Sequence, residues 1–185
     1  MSILGFEFRR YLGSLWVWVL SLIGLLLMFM AFYPVLAADA AVLDLFLRHY
    51  PEELLKVFGV GGELSLATVA GFLAFSFVVV QLCLAVQSAY YGFSFLSVEE
   101  RELTADFLYA KPVSRLRVLT EKYLAAGGAL LVTNAAVWIG TFLSIAWFGG
   151  DAPYDVRAVI SLLLTVPIFQ LFFFSLGFLA TALSK

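Results

Sequence analysis

The chain contains 185 residues, of which 63% are hydrophobic, 17% aromatic and only 13% charged, with a formal net charge of −2. Soluble domains are about 45–50% apolar and about 25% charged, so this composition excludes an ordinary soluble protein and predicts that lipid surrounds part of the chain. The near-neutral charge favours neither an acidic nor a basic partner, and we expect no nucleic acid among the partners. Cys83 is the sole cysteine and His49 the sole histidine, so we expect no intrachain disulfide and no metal site.

The N-terminal residues 1–13 are predicted to form an interfacial helix that precedes the first membrane span. A helix would place apolar side chains on one face and charged ones opposite. The apolar residues are Phe8, Tyr11, Leu12 and Leu15, and the charged residues on the opposite face are Glu7 and Arg10. The alternative is that these residues are simply the beginning of the first span. The apolar run from Leu15 to Phe32 exceeds the roughly 7–15 residues of a signal-peptide core, so we expect a retained span rather than a cleaved signal.

Four apolar segments reach the roughly 20 residues that a helix needs to cross a membrane. They are residues 14–36, 66–92, 123–148 and 158–183. Because backbone groups in lipid must find their hydrogen bonds within their own segment, these spans are predicted to be helices. The sequence therefore predicts an all-α membrane protein that forms a single domain over residues 1–185.

The two sides of the predicted membrane differ in positive charge. Eight basic residues fall on one side and three on the other: Arg9, Arg10, Arg101, Lys111, Arg115, Arg117, Lys122 and Lys185 against Arg48, Lys56 and Arg157. By the positive-inside rule, both termini and the connection 93–122 are predicted to be cytoplasmic. The connection 37–65 would then lie outside, and its sequence YPEELLKVFGVGG predicts a short helix on the outer membrane surface.

The predicted spans hold no charged residue away from their ends. Ion-coupled carriers and intramembrane enzymes usually keep such groups, so both classes are disfavoured. The neutral residues Gln81, Gln87, Asn134 and Gln170 are expected to bond to neighbouring helices, and the lining of a substrate path is the alternative left open. No phosphate loop, nucleophile elbow or metal-ligand spacing occurs in the sequence, so we expect no catalytic residue and no cofactor on this chain.

The connection 93–122, called the charged segment below, contains ten of the chain's 24 charged residues between positions 99 and 122. Ser97 followed by Glu100 is a capping-box pattern, which predicts that a helix begins near Val98. That helix would stop before Pro112, which makes a turn, and Ser114 would cap a second helix that continues into the third span. The charged segment is thus predicted to be a helix–turn–helix elbow, suited to transmitting a push from a soluble partner to the membrane helices.

This elbow resembles the coupling segment of the permease subunits of ABC type-2 transporters. The resemblance rests on the pattern Glu-x-x-x-x-Thr, followed by Pro-Val-Ser-Arg and by a Lys seven residues after the Arg. Here these positions are Glu99, Thr104, Pro112, Val113, Ser114, Arg115 and Lys122. The resemblance extends over essentially the whole chain, including the interfacial helix and the sequence GFLAFSF that opens the second span. The chain departs from the family at Leu103, where a glycine is usual.

The resemblance implies a subunit of the prokaryotic plasma membrane that pairs with a second permease, as a homo- or heterodimer. It also implies that a separate ATP-binding subunit docks on the elbow, with Glu100 and Phe107 among the docking residues, and that ATP binds to that partner rather than to this chain. The family normally has six spans, so we expect this chain to lack the last two.

Two other functions are compatible with the residues alone. The first is a membrane scaffold or assembly factor that recruits a cytoplasmic partner through the elbow without transporting anything. The second, a membrane enzyme, is the weakest hypothesis because the sequence offers no catalytic constellation.

Overall fold

The computed structural model describes residues 3–39, 49–51, 53, 66–101 and 115–183, of which 3, 95–101 and 115 are described by their backbone alone. These residues form four α-helices: α1 (Ile3–Ala38), α2 (Val69–Arg101), α3 (Arg115–Phe148) and α4 (Val156–Leu183). Each helix contains a stretch long and apolar enough to cross a membrane: Leu4–Ala38, Val69–Ser94, Leu116–Phe148 and Val156–Leu183. The prediction of an all-α membrane protein with four spans is therefore confirmed for the described part of the chain.

Two predicted helix boundaries are wrong. Helix α1 runs from Ile3 to Ala38 without a break, so residues 3–13 are its first turns, as the alternative interpretation had it, and not a separate helix. Helix α2 passes through Ser97 and Val98 and ends at Arg101, so no new helix begins there. A capping residue acts only where backbone amides lack an acceptor, and amides inside a continuous helix already have one. The predicted outer helix within 37–65 lies almost wholly outside the described residues.

The turn between α3 and α4 shows why α3 ends and α4 begins where they do. After α3, the Gly149 amide donates to the Ile145 carbonyl at 2.7 Å, and Gly150 adopts the left-handed conformation, with φ at 59°. Glycine reaches that conformation at little cost, which makes it a common helix terminator. Before α4, the Asp155 carboxylate accepts a hydrogen bond from the Arg157 amide at 2.8 Å. Asp155 is therefore the N-cap of α4.

The helices contribute to two compact units, each with its own core. The first unit draws its described residues from Met1–Val19, Leu84–Ala135 and Val166–Lys185. Small residues of α3 and larger side chains of the other helices are buried there, among them Ala125, Ala126, Ala129, Leu15, Leu84 and Phe174. The alanines allow the helix backbones to approach closely, which is how membrane helices gain packing energy in the absence of a hydrophobic driving force.

The second unit draws its described residues from Leu20–Cys83 and Ala136–Thr165. Its core consists of larger aliphatic and aromatic side chains, including Leu22, Leu26, Met30, Leu73, Phe77 and Leu163. Within it, Tyr33 of α1 packs on Phe72 of α2 with ring centroids 5.7 Å apart. The Tyr33 hydroxyl donates to the Ala67 carbonyl at 3.2 Å. This bond ties α1 to the turn that precedes α2.

The amphipathic pattern predicted that Glu7 lies on the exposed, charged face of the helix, but Glu7 is buried. Its exposed fraction is 5%, and its Oε2 lies 3.8 Å from Arg10 Nη1. Leu15, eight residues later, is also buried, so the inward face of α1 passes through Glu7 and Leu15. Because α1 is one helix, packing of its whole length fixes its rotation, and the few apolar residues near its start do not decide which face turns inward.

Candidate functional site

The structure describes both edges of the charged segment. Glu99 and Glu100 lie in the last turn of α2, and Arg115 is the first residue of α3. Residues 102–114 lie outside the described residues, and with them the predicted docking residues Thr104, Phe107, Pro112, Val113 and Ser114, as well as Leu103. The prediction that the second arm of the elbow continues into the third span is confirmed, because α3 runs unbroken from Arg115 to Phe148.

Lys122 is buried at the base of α3, with an exposed fraction of 5%. It was predicted as a docking residue together with Arg115. Its side chain lies inward, among the helices of the first unit, and not at the surface.

Glu121, the neighbour of Lys122, connects two helices. Its Oε2 accepts a hydrogen bond from the Leu4 amide in the first turn of α1 at 2.8 Å. Its Oε1 lies 2.9 Å from Nε of Arg117, one turn earlier in α3. A single carboxylate therefore holds the beginning of α1 against the beginning of α3.

A layer of neutral polar side chains crosses the first unit. Gln87 of α2 donates through Nε2 to Oγ1 of Thr133 on α3 at 2.9 Å. The adjacent Asn134 donates through Nδ2 to Oε1 of Gln170 on α4 at 3.1 Å. All four residues are buried. Amides and hydroxyls do not titrate near neutral pH, so this polar layer joins three helices by hydrogen bonds and carries no charge.

The amides of the polar layer keep some hydrogen-bonding capacity. Oε1 of Gln87 and Nε2 of Gln170 are buried and have no hydrogen-bond partner within the described part of the chain. One is an acceptor and the other a donor. The bonds expected between neighbouring helices are thus present at Gln87, Asn134 and Gln170, and the lining of a path by these residues stays a prediction.

Gln81 lies in the second unit and differs from the other three polar residues. Its Nε2 donates to Oγ1 of Thr165 on α4 at 3.2 Å, so it too bonds to a neighbouring helix. Gln81 is only partly buried and Thr165 is exposed. Of the four predicted polar residues, Gln81 is the one whose side chain reaches the surface of its unit.

Helices α2 and α4 make a backbone-to-backbone crossing in the first unit. A Cβ added to Gly92 would clash with the Phe174 carbonyl oxygen, and one added to Gly177 would clash with the Ala89 carbonyl oxygen. Next to this crossing, Thr181 Oγ1 donates to the Phe93 carbonyl at 3.0 Å. Glycines that allow such contact are typical of helix association in membranes.

Sequence reasoning did not identify Glu121, Thr165 or the glycine crossing. The spacing of Arg117 and Glu121, four residues apart in a helix, was a visible signal for their ion pair. Nothing local in the sequence indicates that Glu121 also reaches Leu4, which lies 117 residues away. Likewise, the glycines stand in different spans, and their pairing appears only in the folded chain.

Comparison with known proteins gives one match. Residues 1–185 match the family described as ABC-2 family transporter protein. No curated protein and no solved structure matches the chain. The family match covers the full sequence and agrees with the four helices long enough to span a membrane. The chain therefore belongs to the ABC-2 transporter family, whose members are non-enzymatic, permease-type membrane components of ABC transporters.

Proposed function

We propose that this chain is the permease subunit of an ABC exporter. Two permease subunits would together form the transmembrane path, and a separate ATP-binding subunit would dock on the charged segment from the cytoplasm. ATP would be bound and hydrolysed by that partner and not by this chain. We also propose that the protein lies in a prokaryotic plasma membrane with both termini in the cytoplasm, in line with the positive-inside asymmetry of its basic residues.

The observation that carries the proposal is the continuity of α2 and α3 with the charged segment. Helix α2 runs unbroken from Val69 to Arg101, so its last nine residues, 93–101, lie within the charged segment. These nine residues span about 13 Å of helix, at 1.5 Å per residue. Helix α3 runs unbroken from Arg115, within the charged segment, to Phe148. A push on the charged segment would therefore act on two rigid helices that reach into the membrane.

Charge supports the assignment of the docking surface. Glu99 and Glu100 lie near the start of the predicted first arm and Arg115 begins the second, so the segment offers acidic and basic groups to a partner. Thr104, Phe107, Pro112, Val113 and Ser114 complete the proposed docking residues. Lys122 is buried, and we assign it the role of fixing the base of α3 beneath that surface.

Co-purification of the chain with an ATP-binding subunit tests the proposal. We would express the tagged full chain with a candidate phosphate-loop ATPase from the same genome and compare Arg115→Glu with Arg157→Glu. Both variants reverse one positive charge at the start of a helix, but Arg157 lies on the side predicted to be outside. We expect Arg115→Glu to reduce co-purification about tenfold or more, which corresponds to about 1.4 kcal/mol of binding free energy, and Arg157→Glu to leave it unchanged.

Two outcomes would contradict the proposal. Equal co-purification of both variants would show that the charged segment does not dock the ATPase. Stable docking without any change in the ATPase rate would favour the scaffold function over the permease function, because a coupled permease must alter the rate at which its ATP-binding subunit hydrolyses ATP.

A further inference from the structure

The first turn of α1 is held by a side chain from another helix. The Leu4 amide donates to Glu121 Oε2 at 2.8 Å. Leu4 is the second residue of α1, so its amide is one of the four that have no acceptor within their own helix. A carboxylate at this position also interacts favourably with the positive end of the helix dipole. Glu121 therefore caps α1 at Leu4, 117 residues earlier in the chain.

The same carboxylate is anchored on α3. Glu121 Oε1 lies 2.9 Å from Arg117 Nε, and the Glu121 side chain is 16% exposed whereas that of Arg117 is 67% exposed. The Glu121 side chain is thus much less exposed than that of Arg117, which faces outward within the charged segment. The two carboxylate oxygens have different partners: Oε2 accepts the hydrogen bond from α1, and Oε1 is held by Arg117 of α3.

A second contact shows that α1 and α3 lie side by side. The ring of Phe8 packs against Gly128, where an added Cβ would lie 3.4 Å from Phe8 Cε2. Leu4 meets Glu121, and Phe8, about one turn later in α1, meets Gly128, about two turns later in α3. The two helices therefore run in the same direction. The capping bond and the ring contact hold the start of α1 at two successive points on α3.

We propose that Glu121 is a positioning residue that fixes the start of α1 to the base of α3, so that α1 moves with α3 when the charged segment is displaced. The inference rests on the proposed function, because the displacement comes from an ATP-binding subunit. It extends that function by recruiting α1, which does not border the charged segment in sequence, into the coupled motion.

Hydrogen exchange on the full chain in lipid nanodiscs tests the contact itself. In Glu121→Leu we expect the Leu4 amide to exchange about tenfold faster, because the side chain that accepts its hydrogen bond is lost. Arg117→Met is the matched control, because it removes the ion pair and keeps the acceptor, so exchange at Leu4 should change far less. Exchange within residues 125–145 of α3 should be equal in all variants, which shows that they are folded. Unchanged exchange at Leu4 in Glu121→Leu would overturn the inference.

Distance measurements on the assembled complex test the motion. Spin labels would be placed at Phe6→Cys and Leu124→Cys, both more than half exposed in the parent chain, in a Cys83→Ala background. We expect the distance between the labels to stay constant between the nucleotide-free and ATP-bound states, and to change between these states once Glu121→Leu is added. A constant distance in the Glu121→Leu complex would overturn the inference and leave the proposed function intact. If no ATP-binding subunit bound the unaltered chain, the proposed function would fail, and the inference with it.

Discussion

Gly92 of α2 and Gly177 of α4 each lie directly against the backbone of the other helix. Gly92 meets the carbonyl of Phe174, and Gly177 meets the carbonyl of Ala89. Both contacts belong to one crossing, at which neither helix has room for a side chain. Because backbone atoms cannot rotate away as the end of a long side chain can, the crossing fixes the distance between the two helices.

Substitution of these glycines by alanine is expected to destabilise the protein. Gly92→Ala and Gly177→Ala should each lower the free energy of unfolding by about 1–3 kcal/mol, the usual cost of overpacking a close contact. Gly24→Ala is the matched control, since nothing lies within 4 Å of a Cβ at that site. There, alanine should be neutral or stabilise by up to about 1 kcal/mol through its helix propensity. Equilibrium unfolding in mixed micelles measures all three, and equal effects would contradict the proposed tight crossing.

The bond between Asn134 and Gln170 should appear as a coupling energy. In a double-mutant cycle of Asn134→Ala and Gln170→Ala, we expect a coupling of about 0.6 kcal/mol and at most about 1.7 kcal/mol, as found for hydrogen bonds between membrane helices. Ser175→Ala serves as the comparison, because the Ser175 hydroxyl donates to Leu171 within its own helix. Its coupling to Asn134→Ala should be near zero. Strict additivity in the first cycle would mean that the bond contributes nothing to stability.

Tyr33→Phe removes a single hydroxyl from the second unit. The Tyr33 hydroxyl donates to the Ala67 carbonyl, and the residue is 3% exposed. We expect the free energy of unfolding to fall by about 0.5–1.5 kcal/mol, the net value of a typical hydrogen bond, because phenylalanine keeps the ring contact with Phe72. Tyr90→Phe, at a site 48% exposed, should change stability by less than about 0.5 kcal/mol. A larger effect at Tyr90 than at Tyr33 would refute this account.

Gln81 can be substituted to test whether it lines a substrate path, because the substitution is expected to change the stability of the protein very little. Because Gln81 is partly buried and its partner Thr165 is exposed, Gln81→Leu should change the free energy of unfolding by less than about 0.5 kcal/mol. If Gln81 contacts a transported substrate, the same variant should alter the substrate-stimulated ATPase rate of the complex. An unaltered rate would leave Gln81 with its bond to Thr165 as its role.

The predicted orientation can be measured with single cysteines, because Cys83 is the chain's sole cysteine. In a Cys83→Ala background, a membrane-impermeant maleimide added to intact cells should label Asp151→Cys. It should not label Leu116→Cys until the membrane is opened. Both sites are exposed in the structure, so access and not burial decides the labelling. The reverse pattern would invert the proposed topology.

Physical constraints explain which features could be predicted. The lengths of the apolar runs determined the four spans, because a backbone in lipid must satisfy its hydrogen bonds within a helix and needs about 20 residues to cross. The basic residues predicted an orientation, and the pattern from Glu99 to Lys122 identified the transporter family that the full-length match confirms.

Pairing between helices was decided only by the tertiary structure. A membrane helix that is apolar on nearly all sides carries little information about which face turns inward, and so Glu7 was assigned to the wrong face. The polar residues could be recognised in the sequence, but which of them pair with one another across helices could not. The bond from Leu4 to Glu121 and the contact of Gly92 with α4 join residues more than 80 positions apart. Such contacts depend on the rotation and spacing of whole helices, which packing sets and local sequence does not.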